Sequence, residues 1–435
     1  MTFRSLVVLD AALALSAAFS QDIAPEVLML ARIKTHMRRE IAQLPNFTCV
    51  EALQRYYKGS GKRSAMKPLD TMQLEVAHIG GRELFSWLGD RNFKEDDPAA
   101  FIGSGMIGNG DFASHLRTLF VDDNGIFQYR GEVDLAGRRA ACYSFQIPVR
   151  LSGYTINLQG AGGAVGIRGL FWADPQSLDV IRLEIHAADI PPNLLLVDAI
   201  STIDYARMRI GTVDVLMPQL SDVHLIQFSG EENRNIVEFT HCRSFNTESG
   251  IMFTGGDSQA LVASSVQRVP TPEVQETVPG GLLVSLVLAT PITEQATVGL
   301  IIEAEVVGSV KHKGQVVIPD GSIVRGRVRR LERYSERHDH FIVALEFTEI
   351  EAGPLFLRFF ADLQSMDQLS EIEWYLSNSS YSSNDLMHLG KFERTTNEQI
   401  RPFDLPGVGS FFVHGTHFTL PKGLHMVWKT RALTR

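Results

Sequence analysis

Trp172-Ala173-Asp174-Pro175-Gln176-Ser177-Leu178-Asp179-Val180-Ile181-Arg182-Leu183-Glu184-Ile185-His186-Ala187 decides how this chain folds. Ile181, Leu183 and Ile185 alternate with Arg182, Glu184 and His186, and Asp174-Pro175-Gln176-Ser177 is a turn. The stretch predicts a strand, a tight turn and a second strand. The same period of two extends outward. Phe85 and Trp87 alternate with Ser86, Phe127 and Tyr129 with Gln128, and Val237 and Phe239 with Glu238. Tyr143, Phe145 and Ile147 share one face, while Cys142 shares the other with Ser144 and Gln146. Such runs are strands of an antiparallel sheet with one face in a core. Asp122-Asp123-Asn124-Gly125 and Ser229-Gly230 are further turns.

Before the strands comes one helix, predicted over 25–44 between Pro25 and Pro45. Val27, Leu30, Met37, Ile41 and Leu44 step down one side in threes and fours, interrupted by Lys34, so this side is expected to lie on the sheet. After a Pro-, Ser- and Glu-bearing stretch, strands return at 283–288, 301–307, 315–318, 323–331, 341–347 and 355–361. Their spacing predicts a small barrel or sandwich. Phe411-Phe412-Val413 and Met426-Val427-Trp428 read as a final hairpin.

The chain has 435 residues, 44% hydrophobic and 21% charged, which is ordinary globular composition. Its net charge of −9 argues against a dedicated nucleic-acid binder. Residues 1–20 carry Arg4, an apolar run and Ala18-Phe19-Ser20, the pattern of a secretory signal peptide. No later run is long and apolar enough to predict a transmembrane helix. Export permits disulfides. Three cysteines allow one bond. The favoured pair is Cys49–Cys242, tying the start of the first domain to its end, and three free thiols is the competing arrangement.

Motifs with chemical potential are weak. Gly103-Ser104-Gly105-Met106-Ile107-Gly108 matches a dinucleotide loop but lacks a βαβ unit around it. His338-Asp339-His340 and the pair His414 and His417 fall short of a zinc set, and read as exposed histidines. Arg325, Arg327 and Arg329, followed by Arg330, Arg333 and Arg337 with Glu332 and Glu336 interleaved, read as a solvated strand face. Gly256-Asp257-Ser258 lies in the linker without oxyanion architecture. No catalytic residue, metal site or cofactor is expected. The aromatics Phe85, Trp87, Phe127, Tyr129, Tyr143, Phe145 and Trp172 are the candidate ligand-binding residues, lining an apolar cavity between sheet and helix.

Two resemblances complete the reading. The helix, then Leu44-Pro45-Asn46-Phe47-Thr48-Cys49-Val50-Glu51, Phe171-Trp172-Ala173-Asp174-Pro175 and His241-Cys242-Arg243-Ser244-Phe245, resembles a group of uncharacterised exported bacterial proteins. Their layout is similar to the outer-membrane lipoprotein carrier fold, an incomplete barrel covered by helices. That resemblance implies binding of lipid or lipoprotein acyl chains. Residues 279–363, with Val317-Ile318-Pro319-Asp320-Gly321-Ser322 and Gly326, resemble the β-barrel domain of type IV secretion outer-membrane-complex components. The chain lacks that family's inner-membrane helix and proline-rich spacer.

The expected architecture is therefore mainly β with one N-terminal helix: signal peptide 1–20, antiparallel half-barrel 21–254, linker 255–278 and a small β-barrel or sandwich 279–435. The expected function is non-enzymatic: an exported protein, periplasmic or secreted, binding lipid or lipoprotein. The alternative is a structural or assembly module of the envelope, with a filled core, no ligand and an envelope protein as partner.

Overall fold

The computed structural model describes residues 23–90, 93, 98–102, 114–158, 161–244, 276–335, 339–353, 355–367, 369, 372–373 and 407–432. The expected signal peptide, most of the expected linker, Gly103–Gly108, His338 and Gly256-Asp257-Ser258 lie outside them.

The protein is mainly β, as its alternation predicts. The first sheet has eleven strands: β1 (Phe47–Lys58), β2 (Lys67–Ile79), β3 (Arg82–Trp87), β4 (Ile126–Leu135), β5 (Arg138–Ile147), β6 (Tyr154–Leu158), β7 (Ala161–Ala173), β8 (Val180–Ala188), β9 (Leu196–Ile210), β10 (Val213–Gln227) and β11 (Glu232–Ser244). Their order is β3-β2-β1-β11-β10-β9-β8-β7-β5-β4, with β6 beside β7. Every pairing is antiparallel, and β1 joins β11 rather than its sequence neighbours alone. One row of directly paired residues crosses the sheet: Met72, Leu53, Val237, Ser221, Ile203, Leu183, Phe171 and Tyr143. All eight are buried, so a single face of the sheet lines the interior.

Two bodies cover that face. Over β5 to β9 lie the helices α1 (Pro25–Ala42) and α2 (Ser114–Phe120). Helix α1 starts with Pro25 in its first turn and is over by Gln43, ahead of Pro45. Its buried stripe is Ile33, Met37 and Ile41, four residues apart. Val27, expected inward, is 55% exposed, because the buried stripe runs through Ile33, Met37 and Ile41 and leaves Val27 to its side. Each buried side chain contributes roughly 1.5–3 kcal/mol.

Over β1, β2 and β3 lies the second sheet. Its strands run in the order Glu276–Thr277, Leu355–Arg358, His340–Ala352, Ile323–Tyr334, Ile301–Val306, Leu283–Leu288, His425–Thr430, Ala361–Met366. Val408–His414 pairs with His340–Ala352, and Gly409 sits against Leu363 of Ala361–Met366, so the sheet curls back on itself. The expected final hairpin does not form. Val408–His414 and His425–Thr430 pair with different strands, because Thr419–Leu420 between them pairs with Ile292–Thr293.

The two sheets share one core. Leu53, Met72, Leu74, Phe85 and Trp87 of the first pack in the same cluster as Val328, Leu331, Phe347 and Trp428 of the second. Val298 donates its N–H to the Thr71 carbonyl at 2.9 Å. Gly299 follows with φ +93°, and a Cβ there would meet the Trp87 ring at 2.7 Å, so the backbone approaches as closely as only glycine permits. The solvated reading of the arginine-rich strand Ile323–Tyr334 fails in its middle: the first sheet covers Arg329, Arg330 and Glu332, while Arg333 stays exposed.

That buried charge is matched. Arg55 on β1 reaches Asp70 on β2 through Nε at 2.7 Å and Glu332 at 3.3 Å. Arg330 and the Tyr334 hydroxyl donate to the other Glu332 oxygen at 2.6 and 2.8 Å. Burial opposes ionisation of Glu332, but Arg330 and Arg55 outweigh it and hold the carboxyl below its usual range. Removing one partner strands the others. Arg55→Ala is expected to cost about 3–5 kcal/mol in urea unfolding. Arg139→Ala, whose side chain is 74% exposed in its pair with Glu132, should cost under about 1 kcal/mol.

Candidate functional site

The expected site is an apolar bowl between the sheet and α1, and its floor is aromatic. Tyr143 and Phe171 stack with ring centroids 5.2 Å apart. Phe120 of α2 meets Phe171 edge-on at 5.3 Å, Phe127 meets it at 6.1 Å, and Tyr129 lies 5.1 Å from Tyr143. Ile33, Met37 and Ile41 descend onto this floor and fill it. The Tyr143 hydroxyl donates to the Glu26 carbonyl of α1 at 2.8 Å. Burial, then Tyr129 and Glu26, push its pKa up to about 12, so it stays a donor.

Polar contacts on the rim clamp α1 in place, and two turn aspartates anchor them. Asp123 accepts from Lys34 at 2.6 Å and Arg38 at 2.9 Å. Asp179 accepts from Arg207 at 2.7 Å and faces His36 at 2.8 Å. Arg207 also reaches Glu40 of α1 at 3.2 Å. Burial opposes the charge on Asp179, but the Arg207 and His36 hydrogen bonds overcome it and hold the carboxyl below its usual range. Lys34, the one interruption of the predicted apolar side, lies 4.1 Å over the Phe127 ring.

The seven aromatic candidates do not converge on one cavity. Phe127, Tyr129, Tyr143 and Phe145 belong to the bowl, with Tyr129 at its exposed lip. Phe85 and Trp87 sit on β3, at the opposite edge of the sheet, inside the core shared with the second sheet. Trp172 pairs with Cys142 and Arg182 on the other face of β7. Alternation assigns a face to each residue but says nothing about how many strands separate two residues.

Cys49 and Cys242 lie on β1 and β11 and are joined by a disulfide, Cα atoms 4.0 Å apart, while Cys142 is free and buried. Among the described residues no three His, Cys, Asp or Glu side chains form a metal-binding group. His340 and His414 are a cross-strand pair, and His417 bonds Glu294 at 2.8 Å. A cleft of about 470 Å³ opens at the junction of the sheets, lined by Trp87, Asp90, Ile301, Arg325, Arg327 and Glu346 among others. Its arginines are already paired, Arg327 with Asp90 and Arg325 with Glu303 and Glu351.

No family model and no curated protein matches the chain. Solved structures are similar over about half of it. One is described as an outer membrane lipoprotein-sorting protein domain from Vibrio parahaemolyticus, with 11% identity over 49% of this chain and 90% of that one, TM-score 0.27. A LolA superfamily protein from Nitrosomonas europaea has 11% identity over 50% and 93%, TM-score 0.27. A DUF1329 family protein from Desulfovibrio piger has 12% identity over 49% and 90%, TM-score 0.26. At these values the likeness carries no functional weight. The similarity of residues 279–363 to the type IV secretion barrel remains one of sequence alone. Among the described residues no helix is long and apolar enough to cross a membrane.

Two measurements check the site's construction. Thiol titration in denaturant without reductant should find one reactive thiol per chain, and three after reduction; three before reduction would contradict the disulfide. Phe171→Ala, at the centre of the ring stack, should lower unfolding free energy by about 3–5 kcal/mol.

Proposed function

We propose that the protein is a non-enzymatic, exported module of the cell envelope that works through its surface, as a structural or assembly component, with a filled half-barrel. One observation carries this: the aromatic floor that would line a ligand cavity is packed ring on ring and roofed by Ile33, Met37 and Ile41. An acyl chain needs continuous apolar volume. Here that volume is occupied by the protein's own side chains, and the cleft at the junction is walled by ion pairs. Strand β4, which among the described residues pairs with β5 alone, is a surface suited to a partner chain.

A second reading keeps the acyl-chain function and makes α1 a removable cover. The observation in its favour is that polar contacts on the rim supply much of the helix's attachment, while Val27 and Leu28 are exposed. Native mass spectrometry and titration with a fluorescent fatty acid separate the two. The filled-core reading expects the bare mass of the chain and no saturable binding. A co-purifying lipid, or one probe bound per chain, would overturn it in favour of the carrier.

A further inference from the structure

Glu51 faces inward on β1, between Cys49 and Leu53, and is 1% exposed. Its register partners are Leu74 on β2 and Phe239 on β11. All four neighbours belong to the core shared by the two sheets. Glu51 Oε1 has no hydrogen-bond partner among the described residues.

Among the described residues no cation answers it. On its own strand, Arg55 is engaged by Asp70 and Glu332. On β2, Asp70 is bound to Arg55, His78 stacks on Phe47, and Glu75 is paired with Arg243. From β11 come Val237, Phe239 and Asn235, and from β3 Phe85 and Trp87, all uncharged. On the second sheet, Arg329 is paired with Glu346 and Arg330 with Glu332. A buried carboxyl without a cation is far cheaper protonated than charged.

We propose that the junction between the half-barrel and the second sheet is a pH-gated joint, closed while Glu51 is protonated and loosened once it ionises. Opening would hydrate Glu51, break the Val298–Thr71 hydrogen bond and uncover Phe85 and Trp87. The sign follows from burial, which lifts the Glu51 carboxyl from 4.5 to about 8 in the closed joint. An opened joint returns it to the ordinary value. Between those limits the closed form holds the extra proton. Opening therefore becomes about tenfold more favourable per pH unit as pH rises, and levels off near pH 8.

Hydrogen exchange on the full chain tests this. Protection of the Val298 amide, corrected for intrinsic exchange, is followed from pH 5.5 to 8.5, with the Phe171 amide of β7 as internal control. The wild type should lose about tenfold protection per pH unit at Val298 and none at Phe171. Glu51→Gln, and Glu51→Met as a second variant, should show a shallower Val298 profile than the wild type and stronger protection at pH 7.5. A flat wild-type profile, an unchanged slope in both variants, or equal losses at Val298 and Phe171 would each overturn the joint.

Discussion

The bridge from Arg55 to Glu332 crosses from one sheet to the other, with both side chains buried. Buried charges of this kind are tolerated only when each is answered, and the answers here come from three strands: β1, β2 and Ile323–Tyr334. The geometry therefore fixes how the second sheet sits on the first. Once that register is set, Val298 meets Thr71, Gly299 slides under Trp87, and the apolar residues on either side close into one core. A purely apolar seam would tolerate sliding. A buried guanidinium between two carboxylates does not.

The half-barrel is covered along its inner face. Its inner face is long, and two covers divide it. The second sheet takes the β1–β3 end, and α1 with α2 takes the β5–β9 end. The two covers differ in kind. The second sheet is locked by buried charge, whereas α1 is held by a short apolar stripe and by aspartates at the rim. Any conformational change that admitted a ligand under α1 would break Asp123 and Asp179 contacts and leave the Arg55 cluster intact.

Much of this was legible in the sequence. The period of two in 172–187 and its repeats identify the strands, and the turn at Asp174-Pro175 is where it was expected. The helix was legible too, though not its buried side: only the fold shows that the stripe facing the sheet runs through Ile33, Met37 and Ile41 and leaves Val27 out. Strand order was not legible, because β1 pairs with β11 across almost two hundred residues. So the aromatic candidates could be assigned a face but not a distance, and they divide between opposite edges of the sheet. The charged seam also leaves its mark in the sequence. From Phe47 to Arg55 every second residue points inward, and two of these five positions are Glu51 and Arg55. A charge on the inward parity of an apolar strand marks a buried partner or an unusual proton.

The claim on which the rest depends is that the two sheets form one cooperative unit. Differential scanning calorimetry of the full chain at pH 5.5, where the joint is closed, tests it most directly. A shared core and a buried charge bridge predict a single transition with calorimetric and van't Hoff enthalpies in agreement. Two resolved transitions, one for each sheet, would contradict it.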